Sequence, residues 1–287
     1  MAAIFYHEGT WLDENPKLVG PADHALFLAS AVFDATRAID GYIPDLENHS
    51  RRLLDSARAI GLGPPISAEV IMELAVDGVR RMPDPRADIF IRPMMFATSG
   101  SGYGGVVPDP DSTQFVFPIY EVPLPEFQGF SAMFSSRRRP ARDQAATNAK
   151  AASLYPNSGL ALKEAGDAGF ENAIMLDPNG NVAEFAAANL YVVKDGVART
   201  PLWNGTFLNG VTRRRVLSLL NEGGVEAIET TITADDVREA DEVFSTGNFA
   251  KVQPCTRVGE RELPVGPVTE RARDLYFEWA RGTERVA

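Results

Sequence analysis

The 287-residue chain has a single cysteine, Cys255. That excludes an internal disulfide framework and a cysteine-based zinc site, and it fits a reducing compartment. The three histidines, His7, His24 and His49, lie far apart and form no ligand pair at helical spacing, so no metal is expected. No apolar run approaches the roughly 20 residues that cross a bilayer, so no membrane is expected as a partner. The opening residues, MAAIFYHEGTWLDENP, lack the basic-then-apolar pattern of a targeting peptide. Together these absences read as a cytoplasmic protein. Positive charge is also scarce: 28 Lys and Arg stand against 39 Asp and Glu, for a formal net charge of -11. Such a balance favours solubility and argues against nucleic acid as a partner.

What remains is an ordinary globular composition, 45% hydrophobic and 23% charged, which excludes disorder along the whole chain. The length suits one large domain or two modest ones. Residues 1–20 predict a short strand pair turning at His7-Glu8-Gly9. Leu53, Leu54, Ala57 and Ile60 recur at helical spacing and predict a helix over 47–60. The same pattern predicts a helix over 67–82, with Ser67 as N-cap. Segments 88–97 and 113–122, rich in Ile, Phe and Val, predict strands on either side of the loop SGSGYGGVVPDPDS.

Pro123 and Pro125 mark a change of direction. Beyond them the pattern predicts a strand at 130–136 and a helix from about Ala151 to Ala165. The hairpin AIML-DPNG-NVAE follows, then a strand at 189–193 closed by Lys194-Asp195-Gly196. A helix is expected from just after Gly210 to Leu220, a strand at 225–232 and a last helix at 267–282. Strands and helices come in blocks and do not alternate, which indicates an α+β fold. The expected organisation is a small N-terminal α+β domain at 1–122, a linker at 123–130 and a large C-terminal domain at 131–287.

Two patterns carry less than they suggest. Gly100, Gly102 and Gly105 match G-x-G-x-x-G, but a dinucleotide site needs a helix N-terminus immediately afterwards. Val106-Val107-Pro108-Asp109-Pro110 cannot start one. Arg137, Arg138, Arg139 and Arg142 form a basic run, which in an acidic chain reads as a solvated loop or a subunit contact.

From Ala145 the chain reads AATNAKAASLYPNSGLALKEAGDAGFENAIMLDPNGNVAEFAAANLYVVKDG. A lysine, a tyrosine five residues on, a helix, a strand and turn, V-x-E, and then N-L-Y-V-V-K-D-G follow in order. This order resembles the fold-type IV pyridoxal-phosphate (PLP) enzymes, and among them the branched-chain aminotransferases. The resemblance covers most of the chain and is densest over residues 145–260. It implies a two-domain α+β fold-type IV enzyme with PLP held between the domains and a large C-terminal PLP-binding domain. It also implies an amino donor and a 2-oxo acid acceptor as partners, and a homodimer or higher homo-oligomer.

Such enzymes need a lysine that attacks the cofactor aldehyde as a neutral amine and then carries a proton. They need an acid that keeps the pyridine nitrogen protonated. An arginine fork and backbone N–H groups take the phosphate. By resemblance, Lys150 is the Schiff-base lysine, Tyr155 reaches the phenolic oxygen and Glu184 meets the pyridine nitrogen. His49-Ser-Arg-Arg52-Leu53 resembles H-x-x-R-L, whose arginine grips the phosphate. Leu208-Asn-Gly-Val-Thr212-Arg213 resembles L-P-G-I-T-R, with the Val211 N–H and the Thr212 hydroxyl as phosphate donors. The plainer reading of that segment is a helix N-terminus capped by Asn209. Ser245-Thr246-Gly247-Asn248 resembles the loop beside the phosphate and the substrate carboxylate. Thr246 and Asn248 are both candidates for the former, and Gly247 for the latter.

For the substrate, Val32-Phe33-Asp34-Ala35-Thr36-Arg37 resembles V-F-E-G-x-R, and Phe90-Ile-Arg92-Pro93 resembles Y-I-R-P. Phe33, Arg37 and Arg92 are therefore expected to line a pocket for apolar and dicarboxylic substrates. The alternative for the two arginines is a structural ion pair. Two departures bear on specificity. The family's F-P-W-x-x-Y stretch is Phe117-Pro118-Ile119-Tyr120-Glu121-Val122 here, and E-G-S-G-E-N is Glu184-Phe-Ala-Ala-Ala-Asn189. D-amino acids, (R)-amines and a lyase reaction of the 4-amino-4-deoxychorismate type stay open beside branched-chain transamination. Outside catalysis, the same loops would suit a protein that binds a regulatory phosphate ligand.

Overall fold

The computed structural model describes residues 2–287. The chain forms two compact units. The first runs to Leu124 and also takes in Ala149–Leu154 and Ala280–Ala287; the second comprises Pro125–Asn148 and Tyr155–Trp279. The segment that carries Lys150 therefore belongs to the first unit, although sequence order placed it in the C-terminal part.

The first unit contains strands β1 (Ala3–His7), β2 (Thr10–Leu12), β3 (Ala31–Phe33), β4 (Thr36–Ala38), β5 (Ile89–Ile91), β6 (Met94–Ala97), β7 (Gly100–Ser101), β8 (Val107–Pro108) and β9 (Thr113–Glu121). Its helices are α1 (His24–Leu28), α2 (Leu46–Ala59) and α3 (Ala68–Arg81). The main sheet runs β2-β1-β9-β5-β4, with β6 also on β9 and β3 on β6. The strand expected over 88–97 is two strands, because Pro93 has no N–H for a ladder. β5 pairs with the end of β9 and β6 with its beginning. Leu53, Leu54 and Ala57 of α2 are buried, as their spacing predicts. Ser67 caps α3 by accepting from Val70 N at 3.4 Å, a contact of the kind that contributes about 1 kcal/mol. Gly78 lets α3 lie close on the sheet: a Cβ there would stand 2.2 Å from Ile119 Cδ1. The glycine-rich loop forms the β7–β8 hairpin around a single 3₁₀ turn, and no α-helix follows the glycines.

The second unit contains β10 (Phe130–Arg138), β11 (Asn172–Leu176), β12 (Val182–Phe185), β13 (Asn189–Lys194), β14 (Val197–Pro201), β15 (Ala227–Thr230), β16 (Glu242–Gly247), β17 (Lys251–Val258) and β18 (Arg261–Glu262). Its helices are α4 (Tyr155–Asp167), α5 (Val211–Glu222), α6 (Ala234–Glu239) and α7 (Pro267–Arg281). The sheet order is β12-β11-β10-β17-β16-β13-β14-β15. β10 is parallel to both β11 and β17. Helix α4 starts at Tyr155, after a 3₁₀ turn at Ala152–Leu154, and not at Ala151. Pro156 explains the shift, since proline fits only the first turn of a helix. The sequence pattern did not reveal α6, which a Thr233–Asp236 capping box begins.

Residues directly opposite in a sheet share a face, so the register sorts the side chains of this unit. Ile174, Phe185, Leu190, Val192, Val243 and Cys255 point to one face, where Val237 and Ala240 at α6 complete the main apolar core. Burial there pushes the Cys255 thiol up to about 12, so it is no nucleophile at neutral pH. On the other face Ala173, Met175 and Ala186 pack against Ala161 and Ala165 of α4. Glu184 opposite Met175, and Thr246 opposite Asn189, belong to this second face.

Candidate active site

In the first unit, Lys150 sits in an extended segment laid against β3. Its N–H donates to Ser56 Oγ at 3.0 Å, and its carbonyl accepts from Phe33 N at 3.1 Å. Ala151 forms a bridge with Val32. The backbone is thus anchored on both sides of the lysine, and Nζ lies 4.9 Å from the centroid of the Phe33 ring. Phe33 and Lys150, 117 positions apart in sequence, come together through this pairing.

Arg52 occurs on α2 beside a fully buried carboxylate. Its Nε and Nη2 donate to Asp34 Oδ2 and Oδ1 at 2.7 and 2.8 Å, and His49 Nδ1 lies 2.7 Å from Asp34 Oδ1. Burial alone would raise the Asp34 carboxyl, but Arg52 and His49 outweigh it and hold the group well below the ordinary 3.8. The aspartate in the V-F-E-like motif therefore orients the arginine of the H-x-x-R-L-like motif. Arg37 is wholly buried; it donates to the Val122 carbonyl and packs 5.6 Å from the Phe90 ring. Arg92 lies 5.1 Å from the Tyr120 ring, and its Nε is buried without a hydrogen-bond partner. Residues of the two substrate motifs thus share the β4–β5–β9 part of the sheet, where Arg37 pairs with Phe90 and Phe90 with Tyr120.

In the second unit, Glu184 is 6% exposed and its carboxylate is fixed at both oxygens. Oε1 pairs with Arg139 Nε at 3.2 Å, and Oε2 accepts from Asn189 Nδ2 at 3.2 Å. Arg139 is the buried member of the basic run, not a solvated loop residue. It also reaches the Thr206 carbonyl and Ser158 Oγ, each at 3.4 Å. Asn189 Nδ2 donates as well to the Leu208 carbonyl at 3.1 Å. One side chain therefore ties Glu184 to the turn before α5.

That turn leads into a helix N-terminus. The N-cap is Gly210, without a side-chain cap; Asn209 does not cap the helix but accepts from Arg213 Nη2 at 2.9 Å. Arg213 also grips Glu229 at 2.7 Å and the Pro201 carbonyl at 3.3 Å, which explains the arginine of the motif as a tether of α5 to the sheet. A Cβ on Gly210 would stand 1.8 Å from Asn189 Oδ1, so only glycine fits. Val211 and Thr212, both 3% exposed, occupy the first turn, whose N–H groups have no partner within the helix. Thr246, opposite Asn189, is 0% exposed and its Oγ1 has no hydrogen-bond partner. Asn248 Nδ2 is likewise buried and unpartnered. Tyr155, half-buried, opens α4.

Residues 31–258 match the family described as amino-transferase class IV. The chain belongs to this family. A branched-chain-amino-acid aminotransferase of Pseudomonas aeruginosa is 34% identical to it over 289 residues, which cover 97% of this chain and 93% of the relative. An aminotransferase from Brucella abortus, solved bound to the cofactor PLP, superposes with a TM-score of 0.95 at 46% identity, covering 98% of this chain and 100% of that one. A branched-chain aminotransferase from Thermoproteus uzoniensis, solved with norvaline, gives a TM-score of 0.89 at 30% identity over 99% and 96% of the two chains.

The side chains of this aminotransferase fit a phosphate-bearing pyridine cofactor. Two buried donors without partners, Thr246 Oγ1 and Asn248 Nδ2, and a helix start without a side-chain cap could meet an anion, and a carboxylate held at both oxygens could meet a ring N–H. Sequence reasoning did not find Arg139, Asn189 or Asp34 as functional residues. Asp34 and Asn189 stood within motifs that could have pointed to them, whereas Arg139 did not. Among the described residues, no group of three or more His, Cys, Asp or Glu side chains could hold a metal ion, and no helix is long and apolar enough to cross a membrane.

Proposed function

We propose that this class IV aminotransferase uses PLP to pass an amino group between a branched-chain L-amino acid and a 2-oxo acid such as 2-oxoglutarate. The observation that carries the reading is the Glu184–Asn189–Gly210 connection, which joins a buried carboxylate to an anion-receptive helix start. PLP would need both, an acid for its ring N–H and a seat for its phosphate. When bound, it supplies an aldehyde that takes up the amino group and a ring that takes up the electron pair released at the substrate α-carbon.

Lys150 is the catalytic residue of this reading. Its Nζ would take the proton from the substrate α-carbon and hold it for return. Glu184 would turn its carboxylate to the pyridine nitrogen. Arg139 pairs with that carboxylate and aims it. Tyr155 donates toward the phenolic oxygen. Arg52, Val211, Thr212, Thr246 and Asn248 bind the phosphate, and Asp34 and His49 orient the arginine among them. Phe33 gives the substrate an apolar wall, Gly247 leaves room for its α-carboxylate, and Arg37 and Arg92 meet the distal carboxylate of a dicarboxylic substrate.

Relatives named for branched-chain amino acids support the donor class. The enzyme works in the cytoplasm as a homodimer or a larger homo-oligomer. Supporting self-association, α1 exposes Leu26 and Phe27 (62% and 74%) beside Val106, whose carbonyl His24 Nε2 approaches to 3.1 Å. The test of substrate class is an amino-donor panel against 2-oxoglutarate. Leucine, isoleucine and valine are expected to react. If all three are inert while a D-amino acid or an (R)-amine reacts, the branched-chain assignment is wrong. Pyruvate release without consumption of an acceptor would indicate a lyase.

A further inference from the structure

The loop between β16 and β17 contains a buried cation that the roles above do not use. Lys251 is 1% exposed and has φ +63, a left-handed conformation that disfavours an L side chain. It closes the three-residue connection Asn248–Ala250, pairing with Gly247 at the point where such hairpins usually place a glycine. Its side chain turns back onto the loop: Nζ donates to Asn248 Oδ1 at 2.6 Å and lies 5.6 Å from the Tyr276 ring.

An ammonium group can only donate. Its contact therefore decides which way the Asn248 amide faces, with Oδ1 toward Lys251 and Nδ2 away from it. Nδ2 is the buried donor without a partner, and Thr246 Oγ1 is a second one two residues earlier. A positive charge on Oδ1 also strengthens the amide as a donor. We propose that Lys251 is a positioning residue that presents the Asn248 amide N–H groups to an anion, the phosphate of PLP on the reading above. Lys251 acts through Asn248, without touching the phosphate.

The test is the affinity of the apoenzyme for PLP, and separately for inorganic phosphate, by calorimetry. Lys251→Met should weaken both by about ten- to a hundredfold, the range expected when a charge-assisted hydrogen bond is lost. Because Lys251 acts through Asn248, adding Lys251→Met to Asn248→Ala should cost less than about twofold more. A merely structural lysine would give additive losses and leave the ³¹P resonance of bound PLP unmoved, whereas the proposed role shifts it in Lys251→Met. Asn248→Asp guards against a folding defect. It keeps a partner for Lys251, so its melting temperature should hold, while a carboxylate replaces the amide donor and phosphate affinity falls. Failure of the unmodified protein to take up PLP would sink the cofactor reading. Uptake by the unmodified protein with undiminished affinity in Lys251→Met and Asn248→Asp, or additive losses in the double variant, would sink the role of Lys251 alone.

Discussion

In the first unit, Lys150 is positioned through its main chain, by Ser56 Oγ on its N–H, Phe33 N on its carbonyl and the Ala151–Val32 bridge. In the second unit, Glu184 is positioned through its side chain, with Arg139 on one carboxylate oxygen and Asn189 on the other. The difference follows the work each group is proposed to do. A lysine that makes and breaks a bond and carries a proton needs its origin fixed and its four-carbon stem able to swing. A carboxylate that must keep its charge while buried needs compensation at both oxygens, because an uncompensated buried ion is costly. Arg52 and Asp34 repeat the second pattern inside the first unit, so the contrast concerns roles and not units.

Lys150→Ala should sharpen the comparison most. Single-turnover transamination should fall by about four orders of magnitude, while thermal unfolding changes little, because the main-chain anchors remain. A melting temperature that drops as far as for a core truncation would show that the side chain is structural, and the contrast would break.

Glu184→Gln should lower the turnover rate by about a hundredfold. It should also destabilise the protein by about 3 kcal/mol in urea unfolding, since Arg139 is left buried beside a neutral amide. A stability equal to that of the unmodified protein would mean that Arg139 does not depend on the carboxylate.

The smallest effect expected is on pH dependence. Asp34 is more acidic folded than unfolded, so its ionisation contributes stability above the unfolded value and loses that contribution as pH falls toward the lower folded one. Asp34→Asn should therefore be less stable than the unmodified protein at about pH 7, with the gap narrowing below about pH 4. Denaturant unfolding at several pH values measures this. A gap that is constant with pH would assign the loss to shape and not to charge.

How much of this was legible depends on how local each signal is. The hairpin around Asp177-Pro178-Asn179-Gly180 and the helices at α2, α3 and α5 follow from turn residues and spacing that act over a few positions. Arg139 was not legible. It lies 45 positions from Glu184 and reads as one arginine of four. The parallel pairing of β10 with β11 brings it beside the hairpin that carries Glu184, where its N–H donates to the Leu176 carbonyl at 2.8 Å. Asn189 was visible as a motif residue, but not as the link between Glu184 and Gly210.

The sequence by itself determined the chemistry available to this protein: one lysine in a dense motif, a glutamate in an apolar strand, and a glycine ahead of a helix. These are choices of residue type and spacing, and short-range physics reads them directly. Tertiary structure alone decided which carboxylates are buried against arginines, which arginines are tethers, and that the Lys150 segment packs with the first unit and not the second. Those outcomes depend on burial and on partners tens of residues away, and no local pattern records them.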